Sequence, residues 1–230
     1  MITDDLTLFQ SKRRYPNWQP IASKQPRVND GNENEAIVKR CLAFLDLEVD
    51  VGSWVKQQGN ISEEVKEHLL RNSADEHNHD LVLRMLAVHY SADLCPPAPA
   101  LAIIERWRQA PESPIVKAYA LEMGVFFTVL PALMRFGDPY ASSVAMWIND
   151  DERVHVEVNL RVMRELGLKL TENLVRLVRD TVAYIYPSDP AQAIRACTRL
   201  ISGKDKEMLT DSLPPTFAFF EQKNKKSFVY

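Results

Sequence analysis

The chain has 230 residues, 46% of them hydrophobic, and is long enough to bury one sizeable core in a single domain. Its 28 basic and 31 acidic side chains give a net charge of −3 without a basic block, which argues against nucleic-acid binding. Three cysteines without a CxxC pair, and a longest apolar run (123–134) too short to span a bilayer, predict a cytoplasmic protein without a membrane segment.

The chain begins with a segment that has no sustained hydrophobic periodicity. Residues 1–32 are rich in Pro, Asn, Gln and Arg, so we expect an extended arm that lies on the surface or on a partner. The first helix is expected at about 33–58, ending at Gly59, and it opens a helical domain over 33–203.

One carboxylate interrupts the apolar stripe of this first helix. Glu48 lies in the middle of the stripe, whereas Asp46 and Asp50, two positions to either side, point away from it. Glu48 is therefore the acid expected to face the core.

The later helices are predicted from caps, prolines and glycines. Asn60 with Glu63 forms a capping signature, and Pro131 predicts a bend inside a long helix. No strand pattern competes, so the predicted fold class is all-α. We expect the helices at about 60–93, 100–109, 113–137, 138–166, 171–186 and 189–202, followed by a C-terminal tail at 204–230.

Six residues recur in two half-motifs with matched spacing. In the first half-motif Glu48 is followed 28 residues later by Glu76, the first residue of a Glu-x-x-His that ends at His79. In the second, Glu122 is followed 30 residues later by Glu152, and the Glu-x-x-His ends at His155. Each gap equals one helix, a short turn and the return along an antiparallel neighbour, so four helices would bring the residues to one level. Because residues i and i+3 share a helix face, the Glu and His of each Glu-x-x-His can bind one ion. The pattern predicts a buried pair of metal ions.

The composition of this predicted site indicates its chemistry. Four glutamates and two neutral histidines carry a charge of −4, which balances two divalent ions. Mixed carboxylate and imidazole ligands favour iron or manganese over structural zinc and leave positions open for a small molecule, for which dioxygen is the expected candidate. We expect no catalytic residues beyond the metal ligands.

Other residues near the motifs have expected supporting roles. Asp75 and Asp151 precede the motif glutamates and can accept a hydrogen bond from the second ring nitrogen of their own or the facing histidine. Asn149 and Asn159 lie near the ligand face of their helix, where they either orient ligands or bond locally. Three aromatic residues, one turn from ligands, are candidates either for core packing or for lining a substrate pocket: Phe44, Tyr119 and Phe126.

Over about 33–166 the order Glu, Glu-x-x-His, Glu, Glu-x-x-His resembles the ferritin-like di-iron carboxylate superfamily. That superfamily includes bacterioferritins, ribonucleotide reductase small subunits, bacterial multicomponent monooxygenases and aldehyde-deformylating oxygenases. The resemblance implies a ferritin-like four-helix bundle with outer helices and two iron ions, with an Mn/Fe pair as the alternative. It also implies dioxygen, a small-molecule substrate and an external reductase or ferredoxin as partners. A homodimer is left open.

Departures from these relatives narrow the expected function. The position of the reductase radical tyrosine is Leu83, although Tyr119 is an alternative redox residue, and Asn78 and Val154 replace an arginine common in the monooxygenases. Three scattered cysteines cannot form the rubredoxin site of rubrerythrins. We expect an oxygenase or oxidase acting on a small organic substrate. The alternatives are a ferroxidase or peroxide-scavenging protein, and a reductase-like radical protein or non-catalytic scaffold.

Overall fold

The computed structural model describes residues 18–23 and 32–202. Those residues are helical apart from connecting turns and loops, and no strand occurs among them, as the sequence predicts. The expected arm is described only at 18–23 and 32, and the expected C-terminal tail lies outside the described residues.

The described helices form a bundle with outer helices. In chain order the elements are α1 (Glu33–Leu42), α2 (Asp46–Gln57), α3 (Glu63–His89), α4 (Ala98–Gln109), α5 (Pro114–Ala120), a π-helical turn (Leu121–Phe126), α6 (Phe127–Phe136), α7 (Pro139–Glu165), α8 (Glu172–Ile185) and α9 (Pro190–Ser202). α2 packs against α3 and α5, and α7 packs against α3, α5 and α6, so that these elements enclose the core. α8 and α9 pack on each other and against the π-helical turn from outside.

The first predicted helix is divided in two, and the prediction of one helix over 33–58 was wrong. A tight turn at 43–45 separates α1 from α2, with bonds from the N–H of Phe44 to the carbonyl of Cys41 (3.2 Å) and from Leu45 to Leu42 (3.2 Å). Residues 41–45 are all buried, and one ideal helix face cannot bury five consecutive side chains. The turn lies just before Glu48.

Helix α3 is shorter at both ends than the predicted helix over 60–93. The side-chain oxygen of Ser62, not Asn60, caps it by accepting from the N–H of Val65 (3.3 Å). Asn60 has a φ of 59°, which belongs to a turn. The start of α7 is as predicted, because Asp138 accepts from the N–H of Ala141 (2.9 Å) just before the first-turn proline.

The third long helix contains a π-helical turn that the sequence analysis did not predict. The irregularity covers Leu121–Phe126 and includes Glu122, whereas Pro131 lies further on, inside α6. A Cβ atom on Gly124 would lie 2.7 Å from both methyl groups of Val178, so the glycine allows α8 to approach the turn. π-Helical turns of this kind are frequent at functional sites.

Within the part of the chain that the structure describes, one continuous helical stretch, Pro114–Phe136, is long and apolar enough to cross a membrane by length and composition alone. However, 83% of its apolar window is buried inside the bundle. That burial fits a core helix of a soluble protein.

Candidate metal centre

All six predicted ligand residues meet in the interior of the bundle. Each is at most 1% exposed. Their ligand atoms form two groups, and the atoms of each group lie within 4.8 Å of one another. One group consists of Glu48, Glu76, His79 and Glu152, and the other of Glu76, Glu122, Glu152 and His155.

Two glutamates occupy the space between the two imidazoles. Oε2 of Glu76 lies 3.1 Å from Nδ1 of His79, and its Oε1 lies 2.8 Å from Nδ1 of His155. Glu152 repeats this arrangement with distances of 3.3 and 3.9 Å to the same two nitrogens. Glu76 and Glu152 are therefore the two residues placed to serve both halves of the cluster.

Each histidine is supported by the aspartate of the facing helix. Nε2 of His79 lies 3.4 Å from Oδ2 of Asp151, and Nε2 of His155 lies 3.2 Å from Oδ2 of Asp75. The sequence left its own and the facing histidine open as partners. Because Nε2 is engaged on the outside, Nδ1 of each ring faces the carboxylates.

Trp18 is a residue of this region that the sequence analysis missed. Its indole N–H donates to Oδ2 of Asp151 (2.8 Å), and its ring stacks on His79 with centroids 6.0 Å apart. The ring of Trp18 also stacks on Trp147, with centroids 5.7 Å apart. Trp18 lies in the Pro-rich arm without periodicity, so no sequence signal placed it here.

The two asparagines of α7 have different environments. Nδ2 of Asn159 donates to Oε2 of Glu122 (2.7 Å), and Asn159 is fully buried. Asn149 is half-buried, and no contact with a carboxylate of the cluster is found for it among the described residues. Of the two roles that the sequence left open, orientation of a candidate ligand applies to Asn159.

In the absence of metal ions, burial and the neighbouring groups shift the pKa values of the residues in the cluster. Burial, then repulsion among the carboxylates, raises the pKa of Glu48, Glu122 and Glu152. Burial would also raise the pKa of Glu76, but attraction to His155 and hydrogen bonds to both histidines outweigh it and lower the pKa.

The histidines show the opposite balance between burial and neighbouring charge. Burial would lower the pKa of both His79 and His155, but the surrounding carboxylates outweigh burial and raise the pKa of each well above its ordinary value. Protons and metal ions therefore compete for the same donor atoms.

Apart from contacts among the carboxylates and ring nitrogens of the cluster itself, several of its donor atoms have no hydrogen-bond partner within the described part of the chain. Buried polar atoms are normally paired, so this concentration at one point fits a group that carries positive charge. Two divalent ions would balance the four carboxylates. Outside the cluster, no partner is found among the described residues for Oε2 of Glu48, Oε1 of Glu76, Oε1 of Glu122, both carboxylate oxygens of Glu152 and Nδ1 of His155.

The three aromatic residues considered for a substrate pocket are all buried. Phe44 packs edge-on against Tyr184 with centroids 5.4 Å apart, and burial raises the pKa of Tyr119. A cavity of about 430 Å³ has a different lining, which includes four residues of one face of α7 turned away from the ligand face. Pocket lining by Phe44, Tyr119 and Phe126 stays a prediction. The cavity is lined by Met123, Phe127, Asp150, Arg153, Val154, Val156, Glu157 and Arg199.

The close contact of α2 with α3 depends on a glycine one turn after Glu48. A Cβ atom on Gly52 would lie 3.2 Å from Cβ of Glu76 and 3.2 Å from Oγ of Ser73. We expect Gly52→Val to lower the free energy of unfolding by about 1 to 3 kcal/mol through overpacking, measured by urea denaturation. Gly59→Val is the control, because no atom lies within 4 Å of a Cβ there. Equal effects of the two substitutions would contradict this account.

Comparison with protein-family models, curated proteins and solved structures gives no match to this chain. The class of the protein therefore follows from its own geometry. It is an all-helical protein with a buried cluster of glutamates and histidines that could hold metal ions.

Proposed function

We propose that this protein is a ferritin-like di-iron enzyme that activates dioxygen to oxidise a small organic substrate. The observation that carries the proposal is the convergence of six buried donor residues, two of which belong to both ligand groups. Carboxylate and imidazole ligands without thiolate suit iron, or an Mn/Fe pair, better than structural zinc. A pair of ferrous ions held by these residues would supply the two-electron redox chemistry that dioxygen activation needs.

The residues of the chain have distinct roles in this proposal. Glu76 and Glu152 would hold both ions, while His79 and His155 would each hold one. Asp75 and Asp151 fix the orientation of the rings through Nε2. Burial of all six donor residues excludes bulk water, which strengthens every electrostatic interaction in the site.

Iron loading followed by exposure to dioxygen tests the proposal. Protein loaded anaerobically with two ferrous ions per chain, and supplied with a chemical reductant, is expected to consume dioxygen repeatedly. Glu122→Ala is expected to abolish this consumption, and Glu157→Ala, at an exposed position of α7, is the matched control. No dioxygen consumption by the loaded wild type would contradict the proposal.

The same experiment separates the enzyme from a ferroxidase. A ferroxidase continues to oxidise added ferrous ion without another reductant, because iron is its substrate. The proposed enzyme stops after oxidising about the two bound ions and resumes only when an electron donor is added. A peroxide-scavenging protein instead consumes peroxide with ferrous ion or reductant, without dioxygen.

A second candidate function is that of a radical protein of the reductase type. The observation that favours it is the hydrogen-bonded series from Trp18 through Asp151 to His79. The series connects a half-buried indole with a candidate metal ligand. Because an indole can be oxidised by one electron, the series offers a route for single electrons between the surface and the cluster. In the leading proposal this route serves an external reductase or ferredoxin.

We expect Trp18→Phe to slow reduction of the iron-loaded protein by an external donor at least about ten-fold. Phe keeps an aromatic ring beside His79 and Trp147 but has no N–H for Asp151 and is not oxidised at accessible potentials. Stopped-flow absorption measures the rate, and Trp147→Phe is the control. Equal rates for Trp18→Phe and the wild type would exclude this route.

A further inference from the structure

The two halves of the cluster differ at the position four residues after each histidine. That position is Leu83 after His79 and Asn159 after His155. Leu83 is a buried apolar residue and offers no hydrogen bond, whereas the amide of Asn159 donates to a carboxylate of the cluster. The duplicated sequence pattern is therefore not a duplicated site.

The hydrogen bond from Asn159 divides the two oxygens of Glu122. Oε2 accepts from Nδ2 of Asn159 at 2.7 Å, while Oε1 is buried without a partner within the described residues. Hydrogen bonds to a charged carboxylate are among the stronger ones in proteins. An ion that took both oxygens of Glu122 would share Oε2 with this bond, so Oε1 is the oxygen that Glu122 offers without competition.

Glu48, the corresponding residue of the other half, has no such restriction. Among the described residues its Oε2 lies 3.6 Å from Nδ1 of His79, and no amide or hydroxyl there donates to Glu48. Both of its oxygens are therefore available to an ion. With Glu76 and Glu152 common to both halves, the half with Glu48 and His79 has one more available oxygen.

The hydrogen bond from Asn159 to Glu122 does not serve only to pair a buried amide group, because the other end of that amide is left unpaired among the described residues. Its Oδ1 is buried and unpaired within the described part of the chain. A buried amide that leaves its own carbonyl oxygen unpaired is unfavourable, so the fold retains Asn159 at a cost in stability. A Leu at this position, as at Leu83, would avoid that cost.

We propose that Asn159 is a positioning residue that restricts Glu122 to one oxygen and so keeps a coordination position open for a small anionic or neutral ligand at the Glu122 and His155 half. The inference rests on the proposed function, since it requires two bound ions. It makes the two ions inequivalent: the ion beside Glu48 is held by more protein donors, and the ion beside Glu122 is the one that binds an exogenous molecule.

Azide binding to the cobalt-loaded protein tests the inference without measuring activity. Cobalt(II) is first titrated to give the stoichiometry, and azide is then titrated while the visible absorption of the cobalt is followed. We expect Asn159→Leu to keep two cobalt ions per chain and to weaken azide binding at least about ten-fold, because the freed Oε2 of Glu122 competes for the open position. Asn159→Ala serves if Asn159→Leu does not fold.

Asn149→Leu is the matched control, because it removes the same amide from the same helix at a residue without a contact to Glu122. It is expected to leave azide affinity within about two-fold of the wild type. Unchanged azide affinity in Asn159→Leu, or equal loss in both variants, would overturn the inference and leave the proposed function standing. Failure of the wild type to bind two metal ions would overturn both.

Discussion

Glu152→Gln is expected to abolish binding of both metal ions, whereas Glu122→Gln is expected to remove about one. Glu152 has oxygens in both groups of ligand atoms, and Glu122 contributes to one group only. The amide of glutamine offers a metal ion one weakly coordinating oxygen and no negative charge. Because both ions depend on Glu152, the substitution weakens the binding of both together. Elemental analysis after loading and desalting should fall from about two ions per chain to nearly none in Glu152→Gln.

The same substitution has the opposite effect on protein prepared without metal. Removal of one of four mutually repelling buried acids relieves desolvation and repulsion, so metal-free Glu152→Gln is expected to unfold at a higher temperature than the metal-free wild type. Glu157→Gln, on the exposed face of α7, should change neither metal content nor melting temperature. Retention of two ions by Glu152→Gln would contradict the shared role of Glu152.

The stability of the metal-free and metal-loaded forms is expected to change in opposite directions between about pH 5 and about pH 8. In the metal-free protein the pKa of Glu48, Glu122, His79 and His155 is raised above the ordinary values of 4.5 and 6.5. The folded state therefore binds more protons than the unfolded state in this window. The contribution of these four groups to stability is fully present below their ordinary pKa values. It is lost as pH rises through their raised pKa values.

Metal binding reverses this dependence because the ions displace the protons. Affinity rises with pH, and each ion at about one hundred times its Kd adds about 2.7 kcal/mol to the free energy of unfolding. The lowered pKa of Glu76 and of Asp151 acts in the opposite sense only below about pH 4.5, outside the window. Thermal unfolding in chelator and in excess manganese(II) measures both curves. Parallel curves would contradict proton displacement at these residues.

The position of the six candidate ligand residues could be predicted because it depends on periodicity. A glutamate in an apolar helical stripe and a Glu-x-x-His pair are both visible in the sequence, and their repetition at 28 and 30 residues fixes the levels at which the helices meet. Burial at 1% or less of Glu48 and Glu122 agrees with that argument. Asp46 and Asp50 bind Arg84 and Arg108 away from the core, also as predicted.

The irregular backbone around the lone glutamates could not be predicted in the same way. The turn before Glu48 contains neither glycine nor proline, and it forms because consecutive apolar side chains at 41–45 are all buried by the folded bundle. The π-helical turn at Glu122 depends on the approach of Val178 from α8, a contact distant in sequence. Both features are set by tertiary packing, which overrides local propensity.

The surroundings of the cluster likewise depend on contacts between distant segments. Trp18 reaches Asp151 across 133 residues, and Asn159 reaches Glu122 across 37. No spacing rule links an arm without periodicity to a helix face. No spacing rule decides either whether Asp75 and Asp151 contact the histidine of their own helix or that of the facing helix. The packing of α3 against α7 places each aspartate beside the facing histidine.

Anomalous X-ray diffraction from crystals of the iron-loaded protein, on either side of the iron absorption edge, tests the central claim most directly. The predicted result is two anomalous peaks between Glu76 and Glu152, one beside His79 and the other beside His155. Absence of peaks there from fully loaded crystals, or carboxylates turned away from a common centre, would contradict a two-metal site.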